Sequence, residues 1–166
     1  MRILTAYLIA AIFIHAGALA CSCGPTPPVP KALSEAKAVF VGRCLAGKII
    51  QRPNGGHGGL VDYVTRRLFR NAHGNAFYDH LQYTFLVSRS WKGAKAGKTV
   101  KVGTGISSTN CGFPFVVGGS YIVYGYESEG RLETTMCKRT CNAELLVSQT
   151  EIAQLDRVSR VPGAKK

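Results

Sequence analysis

The residues best suited to chemistry in this chain form the stretch Cys21-Ser22-Cys23-Gly24-Pro25. Each of its two thiols can form a disulfide or, as the thiolate, bind a metal ion. In an extended chain Cys21 and Cys23 are too close to bond readily to each other. We therefore expect each of them to pair with a distant cysteine, so that this stretch is fixed against a folded body.

The segment before Cys21 has the pattern of a secretory signal peptide. A positively charged Met1-Arg2 is followed by a nearly continuous apolar run, which ends in the small-x-small cleavage motif Ala18-Leu19-Ala20. This run is short for a membrane span. We predict a signal peptide at 1–20 and one secreted, extracellular domain at 21–166, whose exposed α-amino group belongs to Cys21.

A bacterial lipoprotein, in which Cys21 is acylated, is the alternative interpretation. Such proteins normally have a large aliphatic residue three positions before the modified cysteine, where this chain has Ala18. An acylated Cys21 has no free amine and forms no disulfide. The intact mass of the mature protein distinguishes the two interpretations.

All the cysteines lie in the segment predicted to be secreted, and their even number predicts disulfides. They are Cys21, Cys23, Cys44, Cys111, Cys137 and Cys141. Three disulfides are expected, but the residues alone do not choose among the pairings. A zinc site is the alternative, although neither C-x-C nor the C-x₃-C of Cys137 and Cys141 is a zinc-finger spacing.

The chain is strongly basic, with a formal net charge of +12. Most of the excess lies between Lys37 and Lys101, where Asp62 and Asp79 are the only acidic residues. In a secreted protein such a segment favours heparin-like sulfated glycans, extracellular matrix or an anionic membrane surface over nucleic acid. The candidate contacts are Arg66, Arg67, Arg70, Lys92, Lys95 and Lys98. A solvated, solubilising face is the alternative.

The pattern along the chain predicts a mainly β domain. Residues 25–30 should form an extended arm, because proline lacks an N–H and fixes φ. A helical turn is expected at 31–36, and Gly42 predicts a bulge in the strand that follows. The expected strands are 37–50, 60–70, 81–91, 99–102, 121–126 and 132–136, with a hairpin turn at 127–130.

A helix should follow the strands. Ser148 and Glu151 have the spacing of a capping box, and Val147 and Ile152 that of a hydrophobic staple. Ile152, Leu155 and Val158 share one apolar face, and Pro162-Gly163 ends the element. These elements fit a five-stranded antiparallel OB-like barrel with a short N-terminal helix and a C-terminal helix, stapled by disulfides.

Four segments together resemble the N-terminal domain of the tissue inhibitors of metalloproteinases, which is netrin-like. They are the C-x-C-x-P stretch after the predicted cleavage site, the proline arm with Val39-Phe40-Val41-Gly42, the strand from Tyr83 to Trp91-Lys92-Gly93, and Cys111-Gly112-Phe113 with the later L-E-T-T-M-C ending at Cys137. The resemblance covers residues 21–141. The family's second, cysteine-rich domain has no counterpart in the residues after Cys141.

The resemblance implies the disulfides Cys21–Cys111 and Cys23–Cys137, and leaves Cys44–Cys141 as the third pair. This third pair departs from the family, which has a cysteine shortly after the proline arm, where this chain has Ala32-Leu33-Ser34.

In these inhibitors the α-amine and carbonyl oxygen of the mature N-terminal cysteine bind the catalytic zinc of a metalloproteinase and displace the water needed for hydrolysis. The resemblance thus implies a protease inhibitor whose Cys21 binds the zinc of the target protease in trans. Ser22 would enter the specificity pocket, and Cys23, Gly24 and Pro25 would continue the contact. Thr109, Asn110 and Cys111 would line the adjacent edge, although the position of Asn110 is apolar in familiar inhibitors.

A netrin-like module without inhibitory activity is the alternative, with disulfides that only close one end of the barrel. We expect no enzymatic activity, because the sequence has neither a G-x-S-x-G nor an H-E-x-x-H motif. We also expect a monomer without a cofactor of its own. His57, His73 and His80 match no metal-binding spacing.

Overall fold

The computed structural model describes residues 21–51 and 79–160. The predicted signal peptide, the predicted strand at 60–70 and the candidate contacts Arg66, Arg67 and Arg70 lie outside these residues and stay predictions. In the part of the chain that is described, no helix has the length and hydropathy of a membrane span.

The described residues form two α-helices, one 3₁₀ turn and six strands, so the domain is mainly β. The helices are α1 (Val29–Glu35) and α2 (Leu146–Ser159), and the 3₁₀ turn is Ser108–Asn110. The strands are β1 (Ala38–Gln51), β2 (Asp79–Lys92), β3 (Thr99–Gly105), β4 (Ser120–Ser128), β5 (Arg131–Glu133) and β6 (Cys141–Asn142).

Five of the strands pair in a closed ring in the order β1-β2-β3-β5-β4, and β4 pairs again with β1. All of these pairings are antiparallel except that of β3 with β5, where Gly103 pairs in parallel with Glu133. The predicted antiparallel pairing therefore holds for every pair in the ring except β3 and β5. An odd number of strands cannot close with alternating directions, so one pair of neighbours in the ring must be parallel.

Strand β1 bends because it pairs with β2 along its length and with β4 in its first half. Its register with β2 shifts at three places, one of them between Val41 and Gly42, in agreement with the bulge or bend expected at Gly42. A Cβ at Gly42 would lie 3.0 Å from the Phe40 ring and 3.1 Å from the Leu86 carbonyl oxygen. A side chain at this position would therefore crowd the bend.

Two hydrophobic clusters lie on opposite faces of β1 and β4. Inside the ring, Phe40 and Cys44 of β1 pack with aromatic residues that include Phe85. Outside it, Val39 packs with helices α1 and α2, which contribute residues such as Leu155. Both faces of β1 are thus buried near its start, in agreement with the predicted alternation of Val39 and Phe40.

Helix α2 has the predicted apolar face but not the predicted start. Leu155 is fully buried, and Ile152 and Val158 pack against the same cluster. However, the N-cap residue is Leu145, without a side-chain cap, and Val147 is exposed. The predicted capping box and hydrophobic staple are therefore wrong.

The other differences are at element ends. Helix α1 begins two residues earlier than predicted, with Pro30 in its first turn, where proline is tolerated because that N–H has no helical partner. Strand β5 stops at Glu133 rather than at Met136. Glu129 and Gly130 both have positive φ, 50° and 72°, as in a type I′ turn, so the predicted β4–β5 hairpin is present with a two-residue loop.

Candidate functional site

The stretch from Cys21 to Pro25 is bonded to the segments that follow β3 and β5. Disulfides join Cys21 to Cys111 and Cys23 to Cys137, with Cα–Cα distances of 5.2 Å and 5.1 Å. These are the first two pairs that the family resemblance implies. Ser22 is exposed, as are the residues from Cys23 to Thr26, while Cys21 is half-buried.

The parallel pairing of β3 and β5 brings these two attachment points together. Both strands end at the same edge of the ring, because their chains run in the same direction. Beyond that edge, the Thr134 N–H donates to the Gly103 carbonyl at 2.9 Å and the Met136 N–H to the Cys111 carbonyl at 2.9 Å. Cys111 and Cys137 are therefore held side by side, where both can form disulfides with the short segment from Cys21 to Cys23.

The two disulfides nearly touch. The Sγ atoms of Cys21 and Cys137 are 3.5 Å apart, and those of Cys21, Cys23 and Cys137 all lie within 4.8 Å of one another. Three such sulfurs have the spacing of metal ligands, but the thiolate is the ligand form and here each sulfur is bonded in a disulfide. The cluster in this state fixes the chain instead of offering a metal site.

The predicted third disulfide, Cys44–Cys141, is wrong, because both residues are free thiols. Cys44 points into the ring, whereas Cys141 lies opposite Ile122, whose side chain belongs to the outer cluster. Residues directly opposite in an antiparallel pair share a face. The two thiols are therefore on opposite faces of the sheet, and burial raises the pKa of both.

The edge beside Cys21 is a compact turn that includes Thr109. The Ser107 N–H donates to Oδ1 of Asn110 at 2.9 Å, so the Asn110 side chain caps its own turn although the residue is exposed. Cys111 follows with a φ of 58°, an uncommon value for a residue other than glycine. A Cβ at Gly105 would lie only 2.3 Å from Asn110 Oδ1, so β3 packs directly beneath this turn.

A partly buried ion pair lies where the proline arm meets helix α2. Nε of Arg139 donates to Oε1 of Glu151 at 2.7 Å, and Nη2 donates to Oε2. Nη1 of Arg139 donates to the Pro27 carbonyl at 2.9 Å. The hydroxyl of the fully buried Tyr124 donates to Oε1 of Glu151 at 2.5 Å. This cluster joins the arm, the segment after Cys137, β4 and α2.

The pKa values in this cluster follow from burial and hydrogen bonding. Burial alone would raise the pKa of Glu151, but the hydrogen bonds from Arg139 and Tyr124 and the guanidinium charge outweigh it and hold the pKa below its ordinary range. Burial, and then the hydrogen bond to Glu151, raise the pKa of Tyr124. Glu151 is therefore ionised and Tyr124 protonated at neutral pH.

Neither Arg139 nor Glu151 was a candidate site residue from the sequence. Glu151 has the spacing of a capping partner for Ser148, but the Ser148 hydroxyl donates to the Asn142 carbonyl instead. The only indication in the sequence that Arg139 belongs to this site is its position, two residues after Cys137.

The candidate polyanion contacts of the described residues divide into two kinds. The Lys92 ammonium donates to the carbonyls of Leu33 and Ser34, at 3.0 Å and 2.8 Å, and so binds the last turn of α1. Lys95 and Lys98 are exposed in the turn between β2 and β3. Lys92 thus has a structural role, and of the three candidates within the described residues, Lys95 and Lys98 are the ones placed to meet a large anion.

No protein-family model matches this chain, and no curated protein matches it in sequence.

Proposed function

We propose that this protein is a secreted, monomeric inhibitor of zinc metalloendopeptidases, and that the α-amine and carbonyl oxygen of Cys21 bind the catalytic zinc. The observation that carries the proposal is the fixed N-terminal stretch. Two disulfides hold Cys21 and Cys23 at one edge of a rigid ring, while the residues from Ser22 to Thr26 are exposed. Cleavage after Ala20 turns this stretch into a held chain end.

The chemistry of zinc supports this role for a chain end. A catalytic zinc keeps one coordination position open for water or substrate. A free α-amine has a reference pKa of about 7.7–8.0, so zinc displaces its proton near neutral pH at modest cost. The carbonyl oxygen of Cys21 completes a five-membered chelate ring. Because the disulfides hold both ligand atoms in advance, less conformational entropy is lost on binding.

The surface around Cys21 supplies the contact with the protease. Ser22 would point into the specificity pocket beside the zinc, and Gly24 and Pro25 would lie along the cleft. Thr109 and Asn110 would contact the cleft from the other side, since Cys111 ties their turn to Cys21. This assignment follows the family resemblance. In this proposal the five-stranded ring is an OB-like, netrin-like domain that has no catalytic activity of its own.

The N-terminus provides the decisive experiment. Mature protein that begins at Cys21 is compared with a form that carries one extra alanine before it and with an N-acetylated form. We expect inhibition of a panel of zinc metalloendopeptidases to fall at least about 100-fold in both modified forms, since each removes the amine ligand. Peptide mapping of the disulfides controls for folding. Equal potency of all three forms would rule out chelation by Cys21.

The intact mass of the mature protein tests the premise. A chain that begins at an unmodified Cys21 supports the proposal, whereas an added acyl mass identifies the lipoprotein instead.

A matrix-binding module is the second candidate, and the exposed pair Lys95 and Lys98 favours it. The two functions use different surfaces and are compatible, since these lysines lie in the β2–β3 turn and the zinc ligands at the Cys21 edge.

A further inference from the structure

We propose that helix α2 takes part in holding the inhibitory stretch, through Arg139. In this proposal Glu151 of α2 orients the Arg139 guanidinium, and Arg139 fixes the carbonyl of Pro27. Arg139 is then a positioning residue for the segment from Gly24 to Thr26. The inference rests on the proposed function for its effect on inhibition, but the contact itself can be tested without a protease.

The exposed segment is attached at both of its ends to one short piece of chain. At one end the disulfide joins Cys23 to Cys137, and at the other the Pro27 carbonyl accepts from Arg139 at 2.9 Å. Cys137 and Arg139 are only two residues apart. Gly24, Pro25 and Thr26 therefore form a bridge between two neighbouring attachment points.

The bridge is short and leads into a restricted segment. Proline fixes φ at Pro25 within it and at Pro27 and Pro28 directly after it, and favours an extended chain there. A displacement at Pro27 is therefore passed on to Thr26 and Pro25. The bridge itself is exposed, and a Cβ added at Gly24 would meet no atom within 4 Å. Its position is thus set where it is attached, at Cys23 and at Pro27, and by the buried Val29 that follows at the start of α1.

Arg139 needs its partner on α2 to act in this way. Two of its nitrogens donate to the Glu151 carboxylate, which fixes the plane of the guanidinium and directs Nη1 at Pro27. Glu151 is in turn held by the buried hydroxyl of Tyr124. Lysine at 139 keeps the positive charge beside Glu151 but has no planar set of donors to reach both partners. The R139K variant therefore keeps the positive charge beside Glu151 but loses the hydrogen bond to the Pro27 carbonyl.

A second ion pair on the same helix provides a matched control. Arg89 of β2 binds Asp156 of α2, which also accepts from Trp91 Nε1 at 2.8 Å. This pair holds α2 against β2, and its hydrogen bonds within the described residues join Asp156 to Arg89 and Trp91 rather than to the proline arm. R89Q thus weakens the attachment of α2 without removing the bond to Pro27.

The test measures backbone order at the amides of Gly24 and Thr26 by ¹⁵N relaxation, in wild type, R139K, R139Q and R89Q. We expect the order parameter of Thr26 to fall from about 0.85 toward about 0.6 in both Arg139 variants, with wild-type values in R89Q. We expect R139K to lose less thermal stability than R139Q, since the charge is kept. Wild-type order in R139K, or an equal loss in R89Q, would overturn the proposal.

Inhibition is measured on the same four proteins. We expect Ki to rise about 10-fold in R139K through faster dissociation, with little change in R89Q. If the wild type inhibits no protease, the proposed function fails, and the relaxation data still decide whether Arg139 holds the arm. If the wild type inhibits and R139K is equally potent, the positioning role is wrong although inhibition stands.

Discussion

The Sγ atom of Cys21 lies 3.5 Å from that of Cys137, although the two belong to different disulfides. At this distance a thiolate freed from one bond can attack the other. The pairing at this edge is therefore exchangeable whenever one bond is opened.

The C111A variant tests this exchange. It leaves Cys21 as a thiol, whose thiolate attacks Sγ of Cys137, forms a Cys21–Cys137 bond and releases Cys23 as the thiolate. We expect peptide mapping under non-reducing conditions to find both Cys21–Cys137 and Cys23–Cys137. C44A is the control and should keep the wild-type pairs. A single Cys23–Cys137 product in C111A would contradict the prediction.

The two free thiols predict a defined alkylation pattern. We expect two alkylated cysteines per chain after denaturation without reductant, Cys44 and Cys141. In the native protein both should react slowly, because burial raises the pKa of each thiol and Cys44 is also inaccessible. Mass spectrometry of the labelled protein measures this. A denatured chain that carries no label would show that Cys44 and Cys141 are bonded to each other, as in the predicted third disulfide.

The low pKa of Glu151 predicts a loss of stability in acid. Its carboxyl has a folded-state pKa below the ordinary value of 4.5. The ion pair therefore stabilises the fold fully above about pH 4.5 and this contribution is lost as the pH falls through the folded-state pKa. We expect urea unfolding to show a loss of about 1–2 kcal/mol across this window, given a pair that is mostly but not wholly buried.

E151Q is the matched variant for this prediction. It removes the ionisable group, so its unfolding free energy should be lower at pH 7 and should change less between pH 5 and pH 3. Parallel curves for E151Q and wild type would assign the acid sensitivity to other carboxyls.

The contact between Gly105 and Asn110 predicts that alanine is destabilising at Gly105 but tolerated at Gly24. G105A would place a Cβ 2.3 Å from Asn110 Oδ1 and 2.7 Å from its carbonyl oxygen, so the turn must move. We expect a loss of about 1–3 kcal/mol by thermal or urea unfolding. G24A meets nothing within 4 Å and should change stability by less than about 0.5 kcal/mol. If G105A has the stability of the wild type, the turn at Asn110 can move away from the added methyl group at little cost, and the prediction is wrong.

Substitutions at three lysines are expected to affect either polyanion binding or thermal stability, because the environments of these lysines differ. We expect K95Q/K98Q to elute from heparin at lower salt without a change in thermal unfolding, because both side chains are exposed. K92Q should lower thermal stability, since it removes two hydrogen bonds to the end of α1. Unchanged retention of the double variant would exclude this turn as the polyanion site.

Much of the ring was predictable from local patterns. The alternation of Val39 and Phe40 placed them on two faces, and Leu155 marked the buried stripe of α2. These predictions hold because side-chain periodicity depends on the backbone alone. The C-x-C stretch was also identified from spacing, since two cysteines so close together must each find a distant partner.

The features that local patterns do not predict depend on which helices and strands pack against each other. Glu151 has the residue type and spacing of a capping partner, and only the position of Arg139 in the fold makes it half of an ion pair. Cys44 and Cys141 are left as a pair once the resemblance assigns the other four cysteines, and no local signal shows that β1 and β6 present them to opposite faces. Tertiary position decided all of these roles, and it is not encoded in spacing along one segment.

The disulfides connect Cys21 and Cys23 to partners 90 and 114 residues away. During synthesis Cys21 and Cys23 emerge long before Cys111 and Cys137, so they remain unpaired or wrongly paired until most of the ring has been made. The second disulfide therefore cannot form before Cys137 has been made. A chain cut short before Cys137 lacks this disulfide, so the proposed inhibitory end can form only after all five strands of the ring have been synthesised.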